Sequence, residues 1–337
     1  MKKILRILIR IILSIVVIII LIVAAVFAMR FYNSQKWGFD GHLEDVNDLS
    51  NYPERFEGGT VEHFEHGAAN GFHFVPDDPN DAEPIAVFGG SEGSPNTDVA
   101  EFLAENGYEV YAMFFFGADN QVDELNRVPL EFFGDFLEYA DLTGTDITLL
   151  GASKGAELGL VLTNYYDEIS NLILYTPSSY VFMGLSFEGD MASSWTYDGE
   201  ELPYIDITQS DLGAFARTMF DSLVLNPVKY RETYESAVEM NDNSEAAKIE
   251  TENFDGQALL FAGGDDAMWQ GDVMAEQIGE ALDDNAQVEI FEDAGHLFIG
   301  PTAIAGMMMG GTEQANVQAG EESNRILLEF LEENTAN

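Results

Sequence analysis

The chain has 337 residues, 46% of them hydrophobic, which is enough to bury one large core, and it contains no cysteine. That absence excludes disulfides, a thiolate nucleophile and Cys-ligated zinc. With 60 acids against 14 Lys and Arg the formal charge is -46 at pH 7, so nucleic acid is excluded as a partner.

The cations are unevenly placed. Lys2, Lys3, Arg6, Arg10, Arg30 and Lys36 fall in the first 36 residues, where no acid occurs, and residues 11–29 form a run of 19 without a charge. A run of that length spans the hydrocarbon of a bilayer, so residues 1–30 are predicted to be an N-terminal membrane anchor, a signal anchor. The four cations before the run put the N-terminus in the cytoplasm and the rest of the chain outside the cell, on the cell membrane as a single-pass protein. A cleaved signal peptide is the competing reading, since Ala25-Val26-Phe27-Ala28 resembles a cleavage site. Against it, the apolar run exceeds the usual h-region of about 7–15 residues. Beyond residue 36, 8 Lys and Arg face all 60 acids, a formal charge of -52. Such a shell keeps a protein soluble at high salt and repels anionic substrates at low salt.

Residues 31–70 are polar and mixed and read as a stalk, with Pro53 and Gly58-Gly59 allowing one edge hairpin. From residue 71 to 335 short β-rich runs alternate with helical patterns. Strands are predicted at 72–75, 85–88, 109–114, 147–150, 172–175, 258–261 and 288–291, and helices at 97–106, 130–142, 154–166, 272–282 and 321–332. The alternation predicts an α/β fold, a mostly parallel sheet with helices on both faces. The runs at 147–150 and 258–261 are almost wholly apolar, as strands buried on both faces should be. Residues 178–253 break the rhythm and read as a lid insertion, with one helical stretch at 212–223. Tyr180, Phe182, Met183, Phe187, Trp195 and Tyr197 in it offer either an apolar wall for a hydrophobic acyl group or the lid's own core.

Gly151-Ala152-Ser153-Lys154-Gly155 follows the strand at 147–150 and opens a helix. This resembles the Gly-x-Ser-x-Gly nucleophile elbow of α/β-hydrolases. Its sharp strand-to-helix turn lifts the serine hydroxyl above the sheet and needs small residues two positions to either side. A serine hydroxyl is a weak nucleophile, so a base must take its proton. Of the five histidines, His42, His63, His66 and His73 precede the elbow, and only His296 follows it, in a loop after the strand at 288–291. The histidines at 63, 66 and 73 lack a matching carboxylate motif and are assigned surface or structural roles, not a metal. The third member should be an acid after an intervening strand. Gly263-Gly264-Asp265-Asp266 supplies it, with Asp266 preferred on its Gly-x-x-Asp spacing and Asp265 left as a turn or cap residue. Backbone N–H groups must meet the charge that develops on the carbonyl oxygen. The loop Phe88-Gly89-Gly90-Ser91 offers one, from Gly90 or Ser91, and Lys154 the other. Neither Gly-x-Gly-x-x-Gly nor a Walker lysine accompanies that loop, which argues against nucleotide binding. The scheme calls for no cofactor and no metal.

Several segments together resemble one family, the C-terminal catalytic domain of acyl-CoA thioester hydrolases and bile acid-CoA:amino acid N-acyltransferase. Gly151-Ala152-Ser153-Lys154-Gly155-Ala156-Glu157-Leu158 is similar to its nucleophile segment, and residues 194–204, from Ser194-Trp195-Thr196-Tyr197, to its insertion motif. Gly263-Gly264-Asp265-Asp266-Ala267-Met268-Trp269, Ala294-Gly295-His296-Leu297 and Gly310-Gly311-Thr312 match in the same order, so the resemblance runs from about residue 85 to 331. It implies the roles of Ser153 as nucleophile, His296 as base and Asp266 as its orienting acid. The serine implies hydrolysis, because the amino-acid-conjugating members carry cysteine there. The animal enzymes have an N-terminal β-sandwich where this chain has an apolar segment and stalk. Acyl-CoA is cytoplasmic and anionic, whereas this domain is predicted to be exported and acidic. The expected substrate is therefore a small-molecule acyl ester or thioester. Retained coenzyme A specificity and a non-catalytic binding protein on the same fold are the alternatives.

Overall fold

The computed structural model describes residues 2–38, 46–186 and 189–335. Within them helix α1, Lys2–Trp37, is long and apolar enough to cross a membrane and stands clear of the core. The body is built on a nine-stranded sheet of β1 Arg55–Phe56, β2 Gly59–His66, β3 Ala69–Pro76, β4 Ile85–Phe88, β5 Val110–Phe114, β6 Ile147–Ala152, β7 Ile169–Tyr175, β8 Gln257–Gly263 and β9 Ala286–Phe291. Their order is β1-β2-β3-β5-β4-β6-β7-β8-β9. The pairs β1–β2, β2–β3 and β3–β5 are antiparallel, and every pair from β5 to β9 is parallel.

The apolar runs of the sequence become central strands because side chains alternate between two cores. In β8, Ala258, Leu260 and Ala262 face one core while Leu259 and Phe261 face the other, all of them fully buried. The first core is closed by α3 Phe132–Tyr139, α4 Lys154–Leu162 and α8 Gly271–Leu282. The second is closed by α2 Thr97–Glu105 and α9 Glu313–Asn334, through Leu103, Ile326, Leu327 and Phe330. Burying a Leu or Phe side chain in such a core contributes about 1.5–3 kcal/mol.

Three expectations change. The apolar helix runs on to Trp37, and the edge hairpin allowed for in residues 31–70 is present as β1–β2 but is joined to the main sheet, not carried on a stalk. This segment joins the sheet because Phe56 and Val61 pack into the second core and Phe64 into the first, while Glu62, His63 and Glu65 stay exposed, so no regular period marks the strand in a charge-rich stretch. The excursion between β7 and β8 carries α5 Leu212–Leu223, α6 Arg231–Met240 and the short α7 Ser244–Ala247. It also carries a strand, Trp195–Tyr197, that pairs with Val128–Pro129 outside the excursion. Of the aromatics expected to form a wall, Trp195 is fully buried in the first core, and Phe182 packs between Tyr234 and Trp269 in a small core of the cap. These two are packing residues, since both rings are enclosed on every side. Tyr197 is exposed against Tyr165, Tyr180 and Met183 are half-buried, and Phe187 and His42 lie outside the described residues.

Candidate active site

Ser153 sits between β6 and α4 with φ 54° and ψ -115°, a region that L-residues avoid and that costs of order 1–3 kcal/mol. The surroundings hold it there. Its N–H donates to the Tyr175 carbonyl of β7 at 2.9 Å, and its own carbonyl accepts from Ala156 and Glu157 to start the helix. The glycines of the motif are required by approach rather than flexibility. A Cβ on Gly155 would lie 2.1 Å from the Gly89 carbonyl oxygen, and one on Gly151 2.2 Å from that of Gly155. The elbow is thereby pressed against the loop after β4.

His296 and Asp266 follow β9 and β8, so both loops lie at the carboxyl ends of parallel strands beside Ser153, where open α/β sheets place their sites. The His296 Nε2 is 2.9 Å from Ser153 Oγ, and its Nδ1 is 2.7 Å from Asp266 Oδ2. In the neutral tautomer that donates from Nδ1 to this carboxylate, Nε2 is an acceptor for the serine O–H. The other carboxylate oxygen, Asp266 Oδ1, accepts from the backbone N–H groups of Met268 at 2.7 Å and Trp269 at 3.3 Å. Both His296 and Asp266 are buried, and the Trp269 ring stands edge-on over the imidazole with centroids 5.6 Å apart, shielding it from water.

The closing segment clamps these two loops together. Met309 accepts from the His296 N–H at 2.7 Å and from Ala267 N–H at 3.3 Å, while fully buried Asn316 of α9 accepts from Gly295 N–H at 2.8 Å. A Cβ at Gly310 would lie 1.9 Å from the Asp265 carbonyl oxygen, which explains the Gly-Gly pair. Asp265 accepts from the Gly311 N–H at 3.1 Å, a contact with the closing segment 46 residues on, not the local turn or cap bond expected of it. Asn316 carried no sequence signal. It looks like any polar residue on a helix.

Around the position of a developing oxyanion, the Lys154 N–H belongs to the first residue of α4 and has no intrahelical acceptor, and the helix N-terminus favours negative charge there. Gly90 lies beside the serine, since a Cβ on it would be 3.4 Å from Ser153 Cβ. Its N–H, however, donates to Glu92 Oε1 at 3.0 Å, an oxygen that also accepts from Ser94 Oγ at 2.6 Å. Among the described residues the Ser91 N–H meets no acceptor. Of the two donors left open by the sequence, Ser91 is therefore the one disengaged.

The Lys154 side chain points the other way, into the protein. Its Nζ donates to Glu157 Oε1 at 2.6 Å and Ser194 Oγ at 2.8 Å, and Glu157 Oε1 also accepts from Trp195 Nε1 at 2.8 Å and Phe182 N at 3.3 Å. All four side chains of Lys154, Glu157, Ser194 and Trp195 are buried. Burial pushes the Glu157 carboxyl up and the Lys154 ammonium down, each toward its neutral form, against the pull of their contact. The network ties the excursion to the nucleophile helix, a contact between segments that the sequence displayed only as separate motifs. Replacing Lys154 with Met leaves the carboxylate of Glu157 buried without its cation. The expected cost is about 3–5 kcal/mol of unfolding free energy, read from urea unfolding. Adding Glu157→Gln, which keeps acceptors for Trp195 and Phe182, is expected to recover most of that loss. A double variant no more stable than Lys154→Met would refute the pairing argument.

The earlier histidines have local partners. His63 Nε2 is 3.0 Å from Asn70 Oδ1, His66 lies 3.8 Å from Glu138, and His73 stacks on Tyr111 with Nε2 2.8 Å from Glu109, which holds the Glu109 carboxyl below its usual range. They do not converge with one another or with Ser153. Among the described residues no group of His, Asp and Glu is arranged to hold a metal.

A family model described as BAAT / Acyl-CoA thioester hydrolase C terminal matches residues 128–337, a span that includes Ser153, Asp266 and His296 and begins after Gly90 and Ser91. Among curated relatives, acyl-coenzyme A thioesterase 2, mitochondrial, of Mus musculus is 22% identical over 233 residues, covering 66% of this chain and 46% of its own. Acyl-coenzyme A thioesterase 1 of Homo sapiens is 23% identical over 239 residues, covering 68% and 52%. The chain thus spans about half the length of the curated relatives it matches. Among solved structures, uncomplexed Pyrococcus horikoshii acylaminoacyl peptidase superposes with a TM-score of 0.53 at 15% identity, over 87% of this chain and 44% of that one. An acylaminoacyl peptidase in complex with Z-Gly-Gly-Phe-chloromethyl ketone gives 0.53 at 14%, with the same coverage of 87% and 44%. At these identities the likeness is one of fold.

Proposed function

Because the chain belongs to the BAAT / acyl-CoA thioester hydrolase C-terminal family, we propose that it is a membrane-anchored serine hydrolase that cleaves an acyl ester or thioester through an acyl-enzyme. The observation that carries this reading is the unbroken relay from Ser153 Oγ to His296 Nε2 at 2.9 Å and from His296 Nδ1 to Asp266 Oδ2 at 2.7 Å. Ser153 Oγ attacks the acyl carbon as its proton passes to Nε2, and the carbonyl electron pair moves onto oxygen. The N–H groups of Lys154 and Ser91 meet that oxyanion, with Gly90 available only once Glu92 has moved away. When the pair returns, the bond to the leaving group breaks and the proton on Nε2 goes to it. Water then repeats the sequence on the acyl-serine, losing its proton to His296 and releasing the acid. Asp266 holds the imidazole and balances the charge it carries in between.

In this reading residues 11–29 anchor the chain in the cell membrane and the catalytic domain, which starts with the β1–β2 hairpin, stands outside. The support is helix α1, among the described residues the one helix long and apolar enough to cross a membrane, and the cations at its start. Thioesters and oxygen esters share the acyl-enzyme route, so the family chemistry transfers without coenzyme A. A second reading keeps coenzyme A as leaving group, favoured by the thioesterase relatives. Charge separates the two. Residues 37–337 carry a formal charge of -52, and a polyanionic thioester has to approach that field. Turnover of p-nitrophenyl esters and of acyl-CoAs by the full chain, measured across ionic strength, is the test. Uncharged esters are expected to show the higher kcat/KM, with little salt dependence. Acyl-CoA turnover should rise about tenfold from about 0.05 M to about 1 M salt. Faster acyl-CoA turnover at low salt would replace the first reading with the second.

A further inference from the structure

Helix α5 presents an apolar face that, among the described residues, nothing covers. Leu212 is 79% exposed, Met219 53% and Leu223 52%, and Phe215 and Phe220 are exposed beside them. At about 100° per residue these five fall within one arc of about 140°. The opposite side of the helix rests on the protein. Ala214 is buried there, Thr218 Oγ1 lies 3.0 Å from Thr233 Oγ1 of α6, and Arg217 pairs with Glu232 of α6 at 3.0 Å. The element is well formed at both ends. Asp211 caps its first turn by accepting from Gly213 and Ala214 at 2.8 and 3.0 Å. At its other end, Arg30 Nη1 donates to the Leu223 carbonyl at 2.7 Å and Asn33 Nδ2 to the Val224 carbonyl at 2.9 Å.

Those last two donors belong to α1 and stand directly after its charge-free run of residues 11–29. Where such a run ends, the hydrocarbon gives way to the headgroup layer. The end of α5 is therefore fastened at the level of the membrane surface, with a row of large apolar side chains unpartnered beside the membrane helix. We infer that α5 is an interfacial helix, laid with its Leu212, Phe215, Met219, Phe220 and Leu223 face in the bilayer that α1 crosses. This rests on the reading of α1 as membrane-spanning and deepens the proposed activity. The chain after α5 is bonded to the rim of the catalytic site. Val228 N–H donates to Gly306 at 2.9 Å, Met308 N–H donates back to Val228 at 2.8 Å, and the next residue, Met309, accepts from the His296 N–H. Ile299, three residues after His296, is also exposed. A helix seated in the headgroup layer brings this rim close to the lipid, and the substrate class it suits is an acyl ester whose chain resides in the membrane.

The absence of cysteine makes the test direct. In the full chain reconstituted into phosphatidylcholine vesicles, Met219→Cys, Ile18→Cys and Glu321→Cys are each labelled with an environment-sensitive fluorophore. Quenching by lipid-borne nitroxides is then compared with quenching by aqueous iodide. The label at 219 is expected to be quenched by a shallow nitroxide several-fold more than the label on exposed α9 at 321, and the label at 18 by a deep one. Embedding at 18 with an aqueous label at 219 overturns the docking of α5 alone. An aqueous label at 18 overturns the anchor reading together with it. A label at 219 shielded from iodide yet insensitive to nitroxide identifies a protein partner instead and also overturns the inference. For the substrate class, Met219→Glu/Leu223→Glu is expected to lower turnover of a vesicle-borne ester at least about fivefold and leave a soluble p-nitrophenyl ester unaffected. Equal turnover of both esters by the variant and the parent overturns that part.

Discussion

Replacing Ser153 with Ala is expected to lower kcat on a p-nitrophenyl ester by about 10⁶-fold while leaving the unfolding transition almost unchanged. The two halves of that expectation have separate physical origins. In the proposed mechanism the Ser153 hydroxyl forms the covalent bond. Water reacting in its place keeps only what the oxyanion donors and substrate binding supply, a residual about 10³–10⁴ above the uncatalysed rate. Structurally, the side chain gives up one hydrogen bond to His296 Nε2, and Ala tolerates the φ of 54° at this elbow no worse than Ser does. In the proposed mechanism nucleophile and base act as one unit, so His296→Ala should cost about as much, and the double variant hardly more than either single one. Steady-state kinetics of the three variants, with circular dichroism to verify folding, check this. Additive losses would mean that the two residues do not share one step.

Asp266→Asn is expected to lower kcat by about 10⁴-fold with KM within about threefold of the parent value. The reason lies in the second oxygen of the carboxylate. Asp266 Oδ1 already accepts from the Met268 and Trp269 N–H groups, so an asparagine there is oriented with its oxygen toward them and its amide nitrogen toward His296. That nitrogen donates to Nδ1 and forces the ring proton onto Nε2, the atom that must accept from Ser153. The geometry survives while the tautomer is wrong. Asp266→Ala, by contrast, frees the ring to choose its tautomer but leaves the two N–H groups without an acceptor. It should be less damaging to kcat and more damaging to stability, by about 1–3 kcal/mol. Comparing kcat and urea midpoints of the two variants distinguishes orientation of the imidazole from simple packing. Identical profiles would show that Asp266 acts only as a structural acceptor.

The sheet was legible wherever strands are buried on both faces. The runs at 85–88, 147–150 and 258–261 announce themselves because alternation between two apolar cores leaves almost no polar position, Thr148 being the exception, and each became a central strand. Edge elements were legible only in part, since β2 exposes Glu62, His63 and Glu65 and buries Val61 and Phe64 three positions apart in different cores, so it reads as a charged connector with no strand period. The candidate site divides along the same line. Ser153, Asp266 and His296 stand in loops after strands and carry local glycine signatures, so each could be found by itself, and the fold brings all three together. What sequence could not express are partnerships across distance. Glu157 meets Trp195 and Ser194 meets Lys154 only in the folded chain, and Asn316 reaches Gly295 from a helix that closes the domain. Glu92 beside Gly90 shows the same limit at short range, because its hydrogen bond decides which of two adjacent N–H groups is free. The aromatic residues of the excursion were legible as apolar but not as inward or outward, a choice made for Phe182 by packing against Tyr234 and Trp269 and for Trp195 by packing against Phe115.

The most direct measurement is covalent. A fluorophosphonate probe requires a serine oxygen activated by a neighbouring base and held beside oxyanion donors, and peptide mass spectrometry locates the adduct. The expected result with folded full-length protein is a single phosphonylated residue, Ser153, with labelling lost in His296→Ala. Folded protein that stays unlabelled, or an adduct on any other serine, would contradict the assignment of the relay from Asp266 through His296 to Ser153.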